Sequence, residues 1–240
     1  MEFRGWEKTS LIEYPGKIST VLFVGGCNFR CPFCYNKDLV KNPAKLPAIS
    51  EEKVLAYLKE NKKLYQAVAV TGGEPTACSD LPEFLRKVRG MGFLAALETN
   101  GTNPGMVEKL IRDGLVDYIA MDIKAPLEEG KYMKAAGSGS GAMSRELFRN
   151  VLKTIKIIMD SRVDYEFRTT VVPGIHSPGD IEAIADSIKG ARKYVLQQFL
   201  PENATEPELR KATPFPEKIL KEIRRKIGKN FQTCEVRGIQ

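Results

Sequence analysis

Short apolar, β-rich runs alternate with helix-like stretches almost from one end of the chain to the other, and this order restricts the fold more than any other feature. The strand candidates are residues 18–24, 67–71, 94–99, 118–123, 165–172 and 194–199. Several are near-continuous apolar runs, which suits strands covered on both faces. Helices with readable starts lie between them. Ser50 precedes residues 51–61 as a cap, and Asp80 with Glu83 has the spacing of a capping box. Asn103-Pro104 and Ser177-Pro178 each put a capping residue before a proline at the first helical position, and Ser144 precedes residues 145–159. Six strand–helix units in series predict an α/β fold with parallel strands and right-handed crossovers. Periodicity alone leaves open whether the sheet is open or curled into a partial barrel. In either case ligands belong at the carboxyl ends of the strands.

At 240 residues the chain can bury roughly 70–75% of its unfolded surface without disulfide staples. No composition shift marks a second domain, so residues 1–240 read as one domain. Its core is residues 17–201, and residues 202–240 form an extension with a helix and a final strand over 231–236. The 37 Lys and Arg outweigh the 30 Asp and Glu by seven charges, but they are dispersed, which concerns solubility more than recognition. The densest cluster, Lys218 to Lys226, has helical spacing with Ile219, Leu220, Ile223 and Ile227 on another face, so it reads first as a solvated helix face and second as a docking or nucleic-acid patch. No nucleic-acid partner is expected. No apolar run approaches the ~18–20 residues that cross a bilayer, and the N-terminus lacks the apolar segment of a secretory signal. The expected setting is the cytoplasm, without membrane contact. A single histidine nearly excludes His-built metal cages and His-driven acid–base triads. In that setting the five cysteines are kept reduced.

Three of those cysteines are crowded together. After the first strand the chain reads Gly25-Gly26-Cys27-Asn28-Phe29-Arg30-Cys31-Pro32-Phe33-Cys34-Tyr35-Asn36, so three thiols at C-x3-C-x2-C can turn towards one point. The glycines let backbone wrap closely around a bulky guest. Thiolates are the usual ligands of iron–sulfur clusters. Structural zinc is the competing reading, but it wants four ligands and only a distant His176 offers another. Three reduced core cysteines are the third reading. A cubane held by three cysteines keeps one iron open, where a small chelating molecule can bind. Other polar groups stand where the strand-end rule expects them: Thr71-Gly72-Gly73-Glu74-Pro75, Glu98-Thr99-Asn100-Gly101, Asp122-Ile123-Lys124, and Arg168 before Val171-Val172-Pro173-Gly174. Glu74 suits a cationic amine or simply faces water. Asp122 with Lys124 is also readable as a plain ion pair, and Arg168 as an arginine satisfied by a carboxylate. The stretch Ala135-Ala-Gly-Ser-Gly-Ser-Gly-Ala142, within the long connection 126–143, reads as a ligand-side loop or a plain linker.

C-x3-C-x-aromatic-C after a first strand resembles the signature of the radical S-adenosylmethionine (SAM) enzymes. The stretch Lys8-Thr9-Ser10-Leu11-Ile12-Glu13-Tyr14-Pro15-Gly16-Lys17, with Gly26-Cys27-Asn28-Phe29-Arg30-Cys31, resembles the activating proteins of anaerobic ribonucleotide reductases. Similarity to pyruvate formate-lyase activating enzymes is visible further along, and the resemblance spans about residues 8–201. It implies a partial TIM-type (β/α)6 barrel with parallel strands, and a [4Fe-4S] cluster on Cys27, Cys31 and Cys34. It also implies SAM cleaved reductively at that cluster, with a glycyl radical then made on a partner enzyme. Residue by residue, it implies that Gly72, Gly73 and Glu74 hold the SAM amino group and that Asp122 and Lys124 contact SAM. Glu98, with Thr99, would help bind a monovalent cation nearby, where the pyruvate formate-lyase activases carry aspartate. Arg168 would line the adenosine pocket and Phe33, with Tyr35 beside it, would pack against adenine. Those activases have a late SAM-contacting histidine that is missing here, so Gln198 or Asn203 stands in for it. His176 reads as a loop histidine, Cys78 as a packed thiol or one approaching the cluster, and Cys234 as structural. The implied partners are a glycyl-radical enzyme, first an anaerobic ribonucleotide reductase, and a low-potential donor such as flavodoxin or ferredoxin. The alternatives are small-molecule radical chemistry, such as deazapurine synthesis, and a non-catalytic iron–sulfur or zinc module.

Overall fold

The computed structural model describes residues 1–239. Its strands are β1 (Glu2–Phe3), β2 (Gly5–Ser10), β3 (Ser19–Val24), β4 (Ile49–Ser50), β5 (Ala67–Gly72), β6 (Leu94–Thr99), β7 (Tyr118–Asp122), β8 (Asp164–Val171), β9 (Lys193–Gln198) and β10 (Thr233–Arg237). The α-helices are α1 (Lys37–Lys41), α2 (Glu51–Glu60), α3 (Leu81–Gly90), α4 (Pro104–Arg112), α5 (Glu129–Ala135), α6 (Ala142–Asp160), α7 (Pro178–Ser187) and α8 (Glu217–Ile227).

One eight-stranded sheet runs in the order β10-β9-β8-β7-β6-β5-β3-β2, parallel throughout except for β2. The six expected strands form its middle. Among the described residues the edge strands β2 and β10 do not pair with each other, so the barrel is partial. The expected final strand is β10, which joins the edge parallel to β9. β2 was not foreseen, because Gly-Trp-Glu-Lys-Thr-Ser has no apolar alternation. It is an edge strand pinned by pairing with β3 and by Trp6 Nε1, which donates to Thr20 Oγ1 at 2.8 Å.

The helices cover the outer face. α6 buries Phe148, Val151, Thr154, Ile155 and Ile158, the spacing of one amphipathic stripe. The inner face carries small residues, Val21, Ala69, Ala96 and Ala120, with Tyr118 beneath Tyr14 from the β2–β3 connection. Small inward residues leave the open space in which polar groups gather above them.

Three expected caps are present: Ser50 accepts from Lys53 N, Asn103 from Met106 N, and Ser177 forms a full capping box with Asp180. Two expectations need correction. Asp80 makes no side-chain cap, because its carboxylate lies 3.2 Å from the Met1 amino group. Ser144 does not start a helix. α6 begins at Ala142, and the buried Ser144 hydroxyl donates to the Ser138 carbonyl at 2.8 Å. No helix among the described residues is long and apolar enough to cross a membrane.

Candidate active site

Strand register brings the turns together. Val24 is paired with Gly72 across β3 and β5, so the cysteine loop and the Gly72-Gly73-Glu74 turn leave the sheet side by side. Gly73 N donates to Val24 O at 2.9 Å and Glu74 N to Gly26 O at 2.8 Å. A Cβ on Gly73 would collide with the Gly26 carbonyl, and Gly72 holds φ at +114°, a region side chains avoid. Asn36 Nδ2 ties the end of the cysteine loop to the Gly72 carbonyl at 2.9 Å.

Cys27, Cys31 and Cys34 all line one cavity. Burial pushes the Cys31 thiol up to about 12 and raises that of Cys27. Without a metal to displace their protons, these two are neutral thiols. Among the described residues no three His, Cys, Asp or Glu side chains close around a point as a single ion requires. A lone zinc therefore has no cage among the described residues, while the three thiols line one cavity. On the outside, Arg30 N donates to Ala136 O at 2.8 Å, and Gly137 packs against the Arg30 carbonyl so closely that a Cβ would clash. The start of the Gly/Ser stretch is thus a clasp on the cysteine loop.

Glu74 also lines the cavity, but it is 1% exposed and its carboxylate is occupied. It accepts hydrogen bonds from Thr76 N and Oγ1, from Thr99 Oγ1 at 2.7 Å and from Asn100 N at 2.7 Å. Burial raises its pKa while these bonds pull it down. Glu74 and Thr99 therefore spend their side-chain polar atoms joining the turns after β5 and β6. Thr154 Oγ1 of α6 secures the second of these turns by donating to Gly101 O at 2.6 Å.

The opposite wall is charged. Asp122 and Arg168 are paired across β7 and β8, and both face the cavity. Arg168 NH1 lies 2.9 Å from Glu98 and 3.6 Å from Glu13, while its Nε is 3.3 Å from Asp122 without the alignment of a hydrogen bond. Thr71 Oγ1 donates to the other Glu98 oxygen at 2.7 Å. Burial opposes ionisation of Glu98, yet the Arg168 guanidinium overrides it and holds the carboxyl at about 2. Glu13, pushed up by burial and by Glu98 beside it, reaches about 8. Lys124 is half-buried, and Asp122 at 2.8 Å keeps it charged against the cost of desolvation. One Glu98 oxygen is thus held by Arg168 and the other by Thr71.

Phe33 and Tyr35 both line the cavity. The Phe33 ring is buried, 5.9 Å from Lys124 Nζ and edge-on to His176. Tyr35 Oη accepts from Leu200 N at 2.7 Å, anchoring the cysteine loop to the chain after β9. His176 is buried in its loop. Its Nδ1 accepts from Val172 N at 3.0 Å, so Nε2 carries the proton and donates to Lys124 O at 2.8 Å. The late polar position needs a shift of one residue. Gln197 lines the cavity, whereas Gln198 faces the other way and donates to Phe215 O at 2.8 Å; Asn203 is exposed outside the cavity. Strand alternation decides this. Cys78 and Cys234 do not line the cavity; both pack against the core. Sequence reasoning missed Glu13, Asn36, Thr71, Asn100, Thr170 and Gln197 as cavity residues. Asn36 and Asn100 adjoin residues already singled out. Glu13 comes from the β2–β3 connection, within the stretch 8–17 that carries the resemblance but to which no site role was given.

The Radical SAM superfamily model matches residues 21–192. A protein of Methanocaldococcus jannaschii, provisionally named a glycyl-radical enzyme activating enzyme, is 32% identical over 232 residues, 96% of this chain and 93% of that protein. The pyruvate formate-lyase-activating enzyme of Clostridium pasteurianum is 28% identical over 201 residues, 81% of this chain and 79% of its own. Among solved structures, QueE from Escherichia coli superposes with a TM-score of 0.58 at 15% identity, covering 97% of this chain and 92% of that one, a likeness of fold.

Proposed function

This chain belongs to the radical SAM superfamily, and from that premise we propose that it is an activase that uses SAM and a [4Fe-4S] cluster to make a glycyl radical on a partner enzyme. Membership implies both cofactors. Bound together, they supply a strong hydrogen-atom abstractor through one-electron cleavage of a carbon–sulfur bond. The chain's own part is to hold and orient them. Cys27, Cys31 and Cys34 are the three cluster ligands. Gly72 and Gly73 bring backbone close, and the buried charge of Glu74 favours an ammonium group. Lys124, kept cationic by Asp122, and the unspent Nε of Arg168 meet a carboxylate or ribose. The Phe33 ring offers an apolar wall to a purine. The single observation that carries the reading is one cavity with three thiols and a charge set matched to a zwitterionic nucleotide.

The partner is a glycyl-radical enzyme, supported by the name of the relative aligned over 96% of the chain. An anaerobic ribonucleotide reductase is the first choice, on the resemblance of residues 8–17 and 26–31 to its activating proteins. The low potential required implies flavodoxin or ferredoxin as donor in an anaerobic cytoplasm. Residues 1–240 act as one catalytic unit. Anaerobic reconstitution is expected to give about four irons per chain and, with reductant, methionine and 5′-deoxyadenosine from SAM. Adding the partner is expected to give a glycyl electron paramagnetic resonance (EPR) doublet. Cleavage without a doublet across glycyl-radical partners turns the reading to small-molecule chemistry; neither iron nor cleavage overturns it.

A further inference from the structure

Asn100 lies in the turn after β6, between Glu74 and the cysteine loop, and is 6% exposed. Its backbone N–H is fixed on Glu74. Its side-chain orientation is forced from the other end, since Oδ1 accepts from Thr102 N at 3.0 Å and from Thr102 Oγ1 at 2.7 Å. The amide Nδ2 must therefore face the cysteine loop, where it meets Asn28 Oδ1 at 2.8 Å and Cys27 Sγ at 3.6 Å, an ordinary length for a sulfur acceptor. Asn28 Nδ2 closes the ring by donating to Thr102 Oγ1 at 2.7 Å. The Phe29 backbone N–H also points at Cys27 Sγ, at 3.4 Å. Two of the four Asn100 side-chain contacts thus serve only to aim the other two.

We propose that Asn100 is a tuning residue: its aimed amide N–H, on Cys27 Sγ, raises the reduction potential of the bound cluster to within reach of a cellular electron donor. The inference rests on Cys27 being a cluster ligand. Reduction adds negative charge, much of it on sulfur, and an N–H dipole stabilises the reduced form more than the oxidised one. Hydrogen bonds to ligand sulfur are among the levers by which proteins set these potentials. In a buried site the dipole acts with little solvent screening.

The test is a SAM-free EPR redox titration of reconstituted wild type, Asn100→Leu, Asn100→Asp and Thr102→Val, with iron per chain measured on each. The expected result is unchanged iron and a more negative midpoint. Asn100→Leu should lower the reduced-to-oxidised ratio at the wild-type midpoint by about tenfold, equivalent to ~59 mV for one electron. Asn100→Asp should move further, because a carboxylate replaces the donor. Thr102→Val should move less, because it removes one of the two bonds that aim the amide, together with the acceptor of Asn28, and leaves the donor itself in place. Midpoints within twofold of the wild-type ratio, with iron retained, overturn the proposal. If both Asn100 variants lose iron, Thr102→Val decides by the same criterion. Failure of wild type itself to assemble a cluster counts against the cofactor reading instead.

Discussion

Along the wall built by the turns after β3 and β5, polar atoms of the chain satisfy one another: Glu74 is saturated by Thr76, Thr99 and Asn100, and backbone meets backbone at Gly26 and Gly73. Along the wall built by β7 and β8, with Glu98 and Glu13 added, the charges face the cavity, and one arginine serves carboxylates from four separate segments. The first wall is a shape and the second is a field. A bulky thiolate-bound group needs the former, which fixes where its ligands stand. A flexible zwitterion needs the latter, where fixed charges in a low-dielectric site orient it.

The largest expected break falls on the first wall. Cys31→Ala should abolish stable cluster binding and lower SAM cleavage by at least about a thousandfold, near the whole catalytic contribution of a residue of this kind; its circular dichroism should stay that of wild type. Iron analysis and product chromatography check this. On the second wall, Arg168→Met leaves the buried Glu98 carboxylate without its partner, and loss of one member of a buried pair costs about 3–5 kcal/mol. Urea unfolding measures it, and the double variant Arg168→Met/Glu98→Gln should recover a large part. Full stability in the single variant would mean that this wall is not held by its charges.

Gly73→Ala is the matching probe of shape. Its Cβ must displace the Gly26 carbonyl, an overpacking cost of about 1–3 kcal/mol, with weakened iron retention as the more specific sign. The most gradual effect is in pH. Glu13 is raised to about 8 in the folded protein from an ordinary 4.5, so the folded state keeps a proton that the unfolded chain releases. Its contribution is full below about 4.5 and is lost as pH rises towards 8. Glu98, lowered to about 2, contributes above 4.5 and loses that contribution as pH falls towards 2. Thermal melts should show Glu13→Gln flattening the decline between about pH 4.5 and 8 while leaving the limb below 4.5 intact, each kcal/mol appearing as about 2–4 °C. An unchanged slope in that window would place the proton elsewhere.

Legibility followed the same division. The thiol wall was readable because its parts are contiguous: Gly25 to Asn36 is one loop, Gly72 to Glu74 one turn, and both follow apolar runs whose parallel pairing was foreseen. Asn36 and Asn100 were overlooked although each adjoins a residue already singled out. The charged wall was only half readable. Asp122 and Lys124 announced themselves at a strand end and Arg168 as a charge within an apolar strand, but Glu13, although inside the stretch 8–17 that carries the resemblance, lies in the connection after β2, a strand with no apolar alternation to place it. Neither Gln198 nor Asn203 lines the cavity, whereas Gln197 does, because a one-residue shift on a strand exchanges the two faces and the run 194–199 is apolar enough to hide the alternation.

Chain order by itself determined the serial strand–helix architecture, the clustering of three thiols after the first of those strands, and the places where polar groups meet strand ends. These depend on spacing and local preference, which a linear chain carries in full. Only the tertiary structure decided that Glu74 spends its carboxylate on the neighbouring turn, that Arg168 gathers Glu13, Glu98 and Asp122, and that the Asn100 amide points at Cys27. Those contacts join residues far apart in sequence. They exist because sheet register and the curl of the partial barrel set which side chains share the cavity, and burial then forces each polar atom to find a partner there.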